Sequence, residues 1–149
     1  MPKKRRPRQK KPLTVLLADD SQAIRQILQR LFSAMPQFKV VAEAEDGSQA
    51  LELIGKLHPD LVILDIRMPR LTGLEILQKL KERSSRCKVL VFSQYSEEAY
   101  RRKCQELGAA GFFDKVCGLD EFQKALHQLD SWFLSSAFPG KDLPNVKRD

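Results

Sequence analysis

No apolar run in this 149-residue chain comes near the ~20 residues needed to span a bilayer. The first apolar segment after the basic N-terminus lasts only about six residues before it meets two aspartates, so no secretory signal peptide is legible. Cysteine is scarce. Cys87, Cys104 and Cys117 are odd in number and lack the close pairing that holds zinc, which reads as reduced thiols in a cytoplasmic protein. Histidine is scarcer still: His58 precedes Pro59 as a solvated turn residue, and His127 lies beside an apolar stripe with no ligand partner. Trp132, the lone tryptophan, reads as packing at the end of the last helix. There is no internal repeat and no sign of a second domain. What remains, at 42% apolar and 30% charged, is an ordinary soluble globule with one domain's length of chain.

Acids are missing from the first twelve residues. Lys3, Lys4, Arg5, Arg6, Arg8, Lys10 and Lys11 supply seven positive charges there. The chain has 26 basic and 19 acidic residues, so removing the seven leaves 19 against 19 and a formally neutral body. The whole net charge of +7 sits on one arm. With three prolines and no large apolar residue after Met1, residues 1–12 are expected to form a disordered basic arm. Such an arm is either a solubilising tail or an electrostatic dock for nucleic acid, an anionic membrane face or another polyanion. It has no aromatic to stack on bases, so little sequence selectivity is expected.

The stretch that organises the body is Leu61-Val62-Ile63-Leu64-Asp65, four apolar residues ending in a carboxylate. Such a run reads as a parallel strand covered on both faces. Leu13 to Ala18 is a first strand, followed by a helix with Ile24, Ile27, Leu28, Leu31 and Phe32 on one face and Pro36 as its stop. Phe38 to Ala44 alternates poorly but reads as a second strand. Asp46-Gly47-Ser48 opens a helix with Ala50, Leu53, Ile54 and Leu57 inward, closed by His58-Pro59. After the Asp65 strand, Leu71-Thr72-Gly73 turns into a third helix (Leu74, Leu77, Leu80) that frays at Ser84-Ser85. Lys88 to Phe92 is a fourth strand ending at Ser93. Ser96 to Leu107 is helical in length but thin in anchors: Ala99, Tyr100, Cys104 and Leu107. Phe112 to Asp114 is a short fifth strand ending at Lys115. A last helix aligns Leu119, Phe122, Leu126, Leu129 and Phe133. Five strands alternating with five helices imply an α/β fold, a five-stranded parallel sheet with helices on both faces. The domain is expected over 13–134, with a C-terminal tail at 135–149.

The polar residues at the strand ends form a set. Asp19-Asp20, Asp65, Ser93 and Lys115 would all lie on one rim, where ligands of open α/β sheets gather. Three carboxylates in one cleft repel unless a cation sits between them. An all-oxygen donor set without His or Cys suits a hard ion, and Mg²⁺ fits best. The lysine and the hydroxyl could hold phosphoryl oxygens.

These residues, with Met68-Pro69 and Gly73, resemble the response-regulator receiver domain of bacterial two-component systems, over about Leu13 to Phe133. The resemblance implies a flavodoxin-like receiver fold with strand order 2-1-3-4-5 and a phosphorylation-dependent signalling switch. By the same resemblance Asp65 accepts a phosphoryl group from a histidine kinase or phosphotransfer protein. Asp20 binds Mg²⁺ directly, Asp19 largely through water, and the Arg67 backbone carbonyl is a further ligand beside Asp65. Ser93 and Lys115 contact the phosphoryl group, and Ser93 with Phe112 forms the switch, Phe112 turning inward as the Ser93 hydroxyl is drawn to phosphate. Arg67 and Tyr95 occupy the two positions that flank the phosphoryl group. The helix 4–strand 5–helix 5 face meets the output partner. Val116 follows the lysine where the family often has proline. Only about 15 residues follow the last helix, too few for the helix-turn-helix domain many relatives carry, so a stand-alone receiver and a piece of a longer regulator are both compatible. The chain is expected not to be an enzyme beyond its own phosphorylation and dephosphorylation. The alternative is a Mg²⁺-dependent phosphohydrolase with an aspartate nucleophile. That class usually needs an acid two residues beyond the nucleophile, where this chain has Arg67.

Overall fold

The computed structural model describes residues 11–134, with the side chains of 130–134 left out. Five strands and five helices alternate: β1 (Leu13–Ala18), α1 (Gln22–Ser33), β2 (Phe38–Ala44), α2 (Gly47–Leu57), β3 (Leu61–Leu64), α3 (Gly73–Glu82), β4 (Lys88–Ser93), α4 (Glu98–Glu106), β5 (Gly111–Asp114) and α5 (Leu119–Leu134). All neighbouring strands are parallel, in the order β2-β1-β3-β4-β5. The basic arm and the tail at 135–149 fall, apart from exposed Lys11 and Pro12, outside the described residues.

The sheet's two faces follow from the period-2 alternation of strand side chains. Val15, Leu17, Leu61, Ile63, Leu90, Phe92 and Phe113 point to one side, where Leu28 and Phe32 of α1 and Phe122, Ala125, Leu126 and Leu129 of α5 cover them. Leu16, Ala18, Val62, Leu64, Val89, Val91 and Phe112 point to the other, under α2, α3 and α4. All four β3 residues are buried because each face of this central strand has helices over it. The poor alternation of β2 has a structural cause. Val15 pairs with Val40 and Leu16 with Ala42, so Val41 is an extra residue bulged from an edge strand, and it is exposed.

Helix ends are set by local chemistry. The Ser21 hydroxyl accepts from the Ile24 N–H at α1, and the Asp46 carboxylate from the Gln49 N–H at α2. Thr72 and Glu75 exchange side chain-to-backbone bonds in a full capping box at α3. His58 closes α2 in the left-handed region, φ 47°. α4 starts two residues later than its sequence suggests. Glu97 takes the cap position without a side-chain cap bond, and Ser96, the residue suited to cap the helix, precedes it.

Four expected anchors are exposed. Leu57 is 45% exposed, because α2 ends there and the neighbouring Pro59 is buried in its place. Ile27 is 44% exposed, since the stripe of α1 narrows to Leu28 and Phe32 with Ile24 and Leu31 at its margin. Leu119 stands at the exposed mouth of α5, and Ala99 faces outward on α4. The expected end of the α5 stripe, the Phe133 side chain, and the Trp132 side chain lie outside the described side chains.

Among the described residues no helix is long and apolar enough to cross a membrane. All three cysteines are free: Cys87 half-buried, Cys104 buried and Cys117 exposed. Burial alone pushes the Cys104 thiol up to about 12, which makes it an inert core residue. His127 is exposed.

Candidate functional site

The carboxyl ends of β1, β3, β4 and β5 bring the expected residues to one rim. Backbone ladders extend just past each strand to aim them. The Asp19 N–H donates to Ala44 O at 3.1 Å, the Asp65 N–H to Ala18 O at 3.0 Å, and the Lys115 N–H to Ser93 O at 3.0 Å. Gly73 closes the floor. A Cβ there would stand 2.3 Å from the Asp65 carbonyl oxygen, so only glycine lets the start of α3 come this close to the Asp65 backbone. Gly47 serves the adjoining loop in the same way, where a Cβ would lie 1.9 Å from Leu71 O.

Asp19, Asp20 and Asp65 each offer a carboxylate oxygen within 4.8 Å of the others. They differ in how far those oxygens are already committed. Asp19 Oδ1 accepts from the Ser21 N–H at 2.9 Å, and its Oδ2 lies 2.8 Å from Lys115 Nζ. Asp65 Oδ2 accepts from Lys115 Nζ at 3.1 Å. Asp65 Oδ1 is buried and has no hydrogen-bond partner among the described residues. Asp20 is exposed.

The electrostatics follow the burial. Asp65, 4% exposed, is held above the ordinary carboxylate range by burial first and by the Asp19 charge second, with Lys115 opposing. Burial pulls the Lys115 ammonium down, but its bonds and charge contacts with Asp19 and Asp65 outweigh that and leave it raised and charged. The donor set is all oxygen, one Asp65 oxygen is buried without a partner, and like charges crowd together. These features fit a hard divalent cation such as Mg²⁺.

Ser93 is fully buried, and its Oγ accepts from the Tyr95 N–H at 3.2 Å. Phe112 is already turned inward, 6% exposed, in the core beneath α4. It has no phenolic hydroxyl to hold toward water, and Arg101 caps the ring at 4.8 Å from its centroid. Arg67 and Tyr95 are brought together as well, the guanidinium 4.6 Å from the ring centroid.

Three further contributors went unread in the sequence. Arg101 bridges the Phe112 ring and the Ser96 carbonyl, which its Nε reaches at 3.2 Å. Asp114 holds the loop after Lys115 by accepting from the Val116 N–H at 2.7 Å and, more weakly, the Cys117 N–H at 3.4 Å. That loop takes its shape with Val116 after the lysine and with no cis peptide bond among the described residues. Arg25 donates to the Asp19 carbonyl at 2.7 Å. Arg25 and Arg101 are charged residues on helix faces and Asp114 ends a strand, with no pattern to set them apart from solvated surface.

The sequence profile of the response regulator receiver domain matches residues 15–127. The nitrate/nitrite response regulator protein NarL of Escherichia coli (strain K12) is 40% identical over 117 residues, 78% of this chain and 54% of that protein. The transcriptional regulatory protein DegU of Brevibacillus brevis is 35% identical over 114 residues, 76% of this chain and 48% of that one. The chain thus spans about half the length of these curated relatives. Among solved structures, the signal receiver domain of a NarL response regulator from Mycobacterium tuberculosis superposes with a TM-score of 0.75 at 32% identity, covering 82% of this chain and 98% of that one. Fold, strand order and sequence agree: the chain belongs to the response regulator receiver domain family.

Proposed function

We propose that this receiver works as a phosphorylation-dependent switch through Asp65, with Ser93 and Lys115 as the groups that meet the phosphoryl oxygens. The observation that carries the assignment is the divided state of the Asp65 carboxylate. Oδ2 is tied to Lys115, while Oδ1 is buried and without a hydrogen-bond partner among the described residues, in a carboxylate that clusters with two further acids. A carboxylate so held has one oxygen fixed and one free to act as nucleophile. Asp65 Oδ1 attacks the phosphorus of a phosphohistidine on a histidine kinase or phosphotransfer protein. A P–O bond forms as the P–N bond breaks, and the imidazole nitrogen keeps that electron pair and takes a proton. Lys115, already charged and aimed into the cleft, balances the phosphoryl group as a point charge. The Ser93 hydroxyl, whose oxygen accepts from Tyr95, has its proton available to donate to a phosphoryl oxygen.

The residues suited to hold Mg²⁺ are Asp20 and Asp65 directly, the Arg67 carbonyl, and Asp19 through water, since both Asp19 oxygens are engaged within the protein. A bound Mg²⁺ would supply positive charge to offset the clustered acids and the incoming phosphoryl oxygens. Nothing favours the phosphohydrolase reading. The residue two beyond Asp65 is Arg67, and it is stacked on Tyr95.

For output, the face made by α4, β5 and α5 supports partner docking through Val116, 81% exposed, and the exposed Leu119 beside it. The basic arm, residues 2–12, supports weak, salt-sensitive polyanion binding that does not involve the cleft. The test of the switch is intact-mass spectrometry after mixing with acetyl phosphate. One phosphoryl group should be gained with Mg²⁺ present. Equal uptake in EDTA, or no uptake, would overturn the reading.

A further inference from the structure

The first turn of α1 carries Arg25 four residues after the Ser21 cap, and no acid accompanies it there. A cation close to a helix N-terminus meets the positive end of the helix dipole. The side chain is also only 13% exposed, so its charge has lost much of its water. A residue so placed needs compensating contacts, and it has two. Nη1 donates to the Asp19 carbonyl oxygen at 2.7 Å, and Nε donates to Glu43 Oε1 on β2, also at 2.7 Å. Gln29, one turn further along α1, fixes the other oxygen by donating to Glu43 Oε2 at 2.8 Å. The Gln29 bond, and after it Arg25, hold the Glu43 carboxyl below its usual range against the opposing effect of burial.

We infer that Arg25 is a positioning residue for the metal and phosphoryl cleft, which sets the geometry of Asp20 without touching its carboxylate. The link is the peptide plane. The Asp19 carbonyl and the Asp20 N–H belong to one rigid unit that also fixes both Cα atoms. Asp19 is held on every other side, by Ala44 O on its N–H, by the Ser21 N–H on Oδ1 and by Lys115 on Oδ2. The bond from Arg25 is what fixes the orientation of the plane leading to Asp20. A guanidinium can do this while also gripping Glu43, because its planar fork presents donors in two directions. The pairing with Glu43 matters electrostatically. It cancels a positive charge that would otherwise sit beside the acids and compete with a cation. Arg25 thus orders the acid pair while adding little net charge to the site.

This inference rests on the Mg²⁺ reading of the cluster, and calorimetric Mg²⁺ titration of the 149-residue chain separates the two. The wild type should bind, and Asp20→Asn should bind much more weakly. Absence of binding by the wild type would overturn the magnesium reading and this inference with it. Arg25→Ala should weaken binding by about tenfold, the low end of what losing an outer-shell partner costs. Arg25→Lys keeps the charge but concentrates its donors at one atom, and should fall between. Glu43→Gln leaves the Asp19 carbonyl bond in place, so the positive charge that it uncovers should cost clearly less affinity than the loss in Arg25→Ala. Thermal melts in EDTA run alongside, because a purely structural clamp between α1 and β2 would lower the melting temperature in Arg25→Ala and Glu43→Gln without touching affinity. Folded Arg25→Ala protein with wild-type Mg²⁺ affinity would overturn the inference. So would an equal loss in Glu43→Gln. If Arg25→Ala does not fold, wild-type affinity in Arg25→Lys overturns it and weakened affinity supports it.

Discussion

The Arg67 guanidinium lies over the Tyr95 ring, 4.6 Å from its centroid, and Tyr95 in turn meets Tyr100 of α4 edge-on at 6.2 Å. Two loops, one after Asp65 and one after Ser93, are therefore joined above the cleft by a stack that leads to α4. A guanidinium and a phenol held in this way should obstruct water approaching a phosphoaspartate. Alanine at either position should speed dephosphorylation several-fold. The double variant should lose less than the two effects combined, because each side chain depends on the other for its place. Phosphate release followed over time in the four proteins checks this; unchanged or slower release would count against it.

Phe112 occupies its inward position in this structure, with Arg101 stacked outside it. The proposed switch would therefore act on a ring that already stands inward in this structure. Its lever would be the Ser93 hydroxyl, which in turning its proton toward a phosphoryl oxygen would carry along the Tyr95 N–H that its oxygen holds. A beryllofluoride complex should shift amide resonances of Tyr95 and the first turn of α4 while leaving the Phe112 ring buried. Arg101→Ala should cost about 1 kcal/mol in urea unfolding, the worth of a half-buried cation–π contact. An Arg101→Ala protein as stable as wild type would show that the ring is held by core packing alone.

The raised Asp65 carboxyl makes a pH-dependent prediction. A group whose folded pKa exceeds its unfolded one binds its proton more tightly when folded, so its ionised form costs stability at neutral pH. That cost is absent below the ordinary aspartate value of about 4 and grows as pH rises through the raised value. Metal-free Asp65→Asn should therefore melt a few degrees above wild type at pH 7, the size of shift that ~1 kcal/mol produces in a domain of this length. The two curves should converge near pH 4. A lower melting temperature for Asp65→Asn at pH 7 would mean that Lys115 needs the carboxylate more than the acids repel one another.

Much of this was legible in the sequence because strands and sites leave one-dimensional marks. Leu61 to Leu64 reads as a doubly covered strand, and the carboxylate after it fits a strand end. The strand ends put Asp19, Asp20, Asp65, Ser93 and Lys115 on one rim, and the family resemblance gave each its expected role. What was not legible depends on three-dimensional neighbours. The bulge at Val41 showed only as weak alternation. Leu57 and Ile27 obey helical spacing, yet their helix ends, or narrows its buried stripe, before they can be covered. Arg25 and Arg101 look like any solvated helix cation until the Asp19 carbonyl and the Phe112 ring are placed beside them.

The basic arm is expected to act apart from the cleft. It joins the start of β1, whereas Asp19 and Asp20 follow the end of that strand, on the opposite rim. Deleting residues 2–11 should leave phosphorylation by acetyl phosphate nearly unchanged and abolish any binding to DNA in low salt. Retained DNA binding with the same salt slope would place the basic surface on the folded body.

The role of Asp65 is decided by locating the phosphoryl group. After reaction with acetyl phosphate and Mg²⁺, peptide mapping by mass spectrometry should place the group on Asp65 alone. The isosteric Asp65→Asn protein, folded and treated identically, should gain nothing. A phosphoryl group found on Asp19, Asp20 or any other carboxylate of the wild type, or uptake by Asp65→Asn at the wild-type rate, would contradict the assignment of Asp65 as the acceptor.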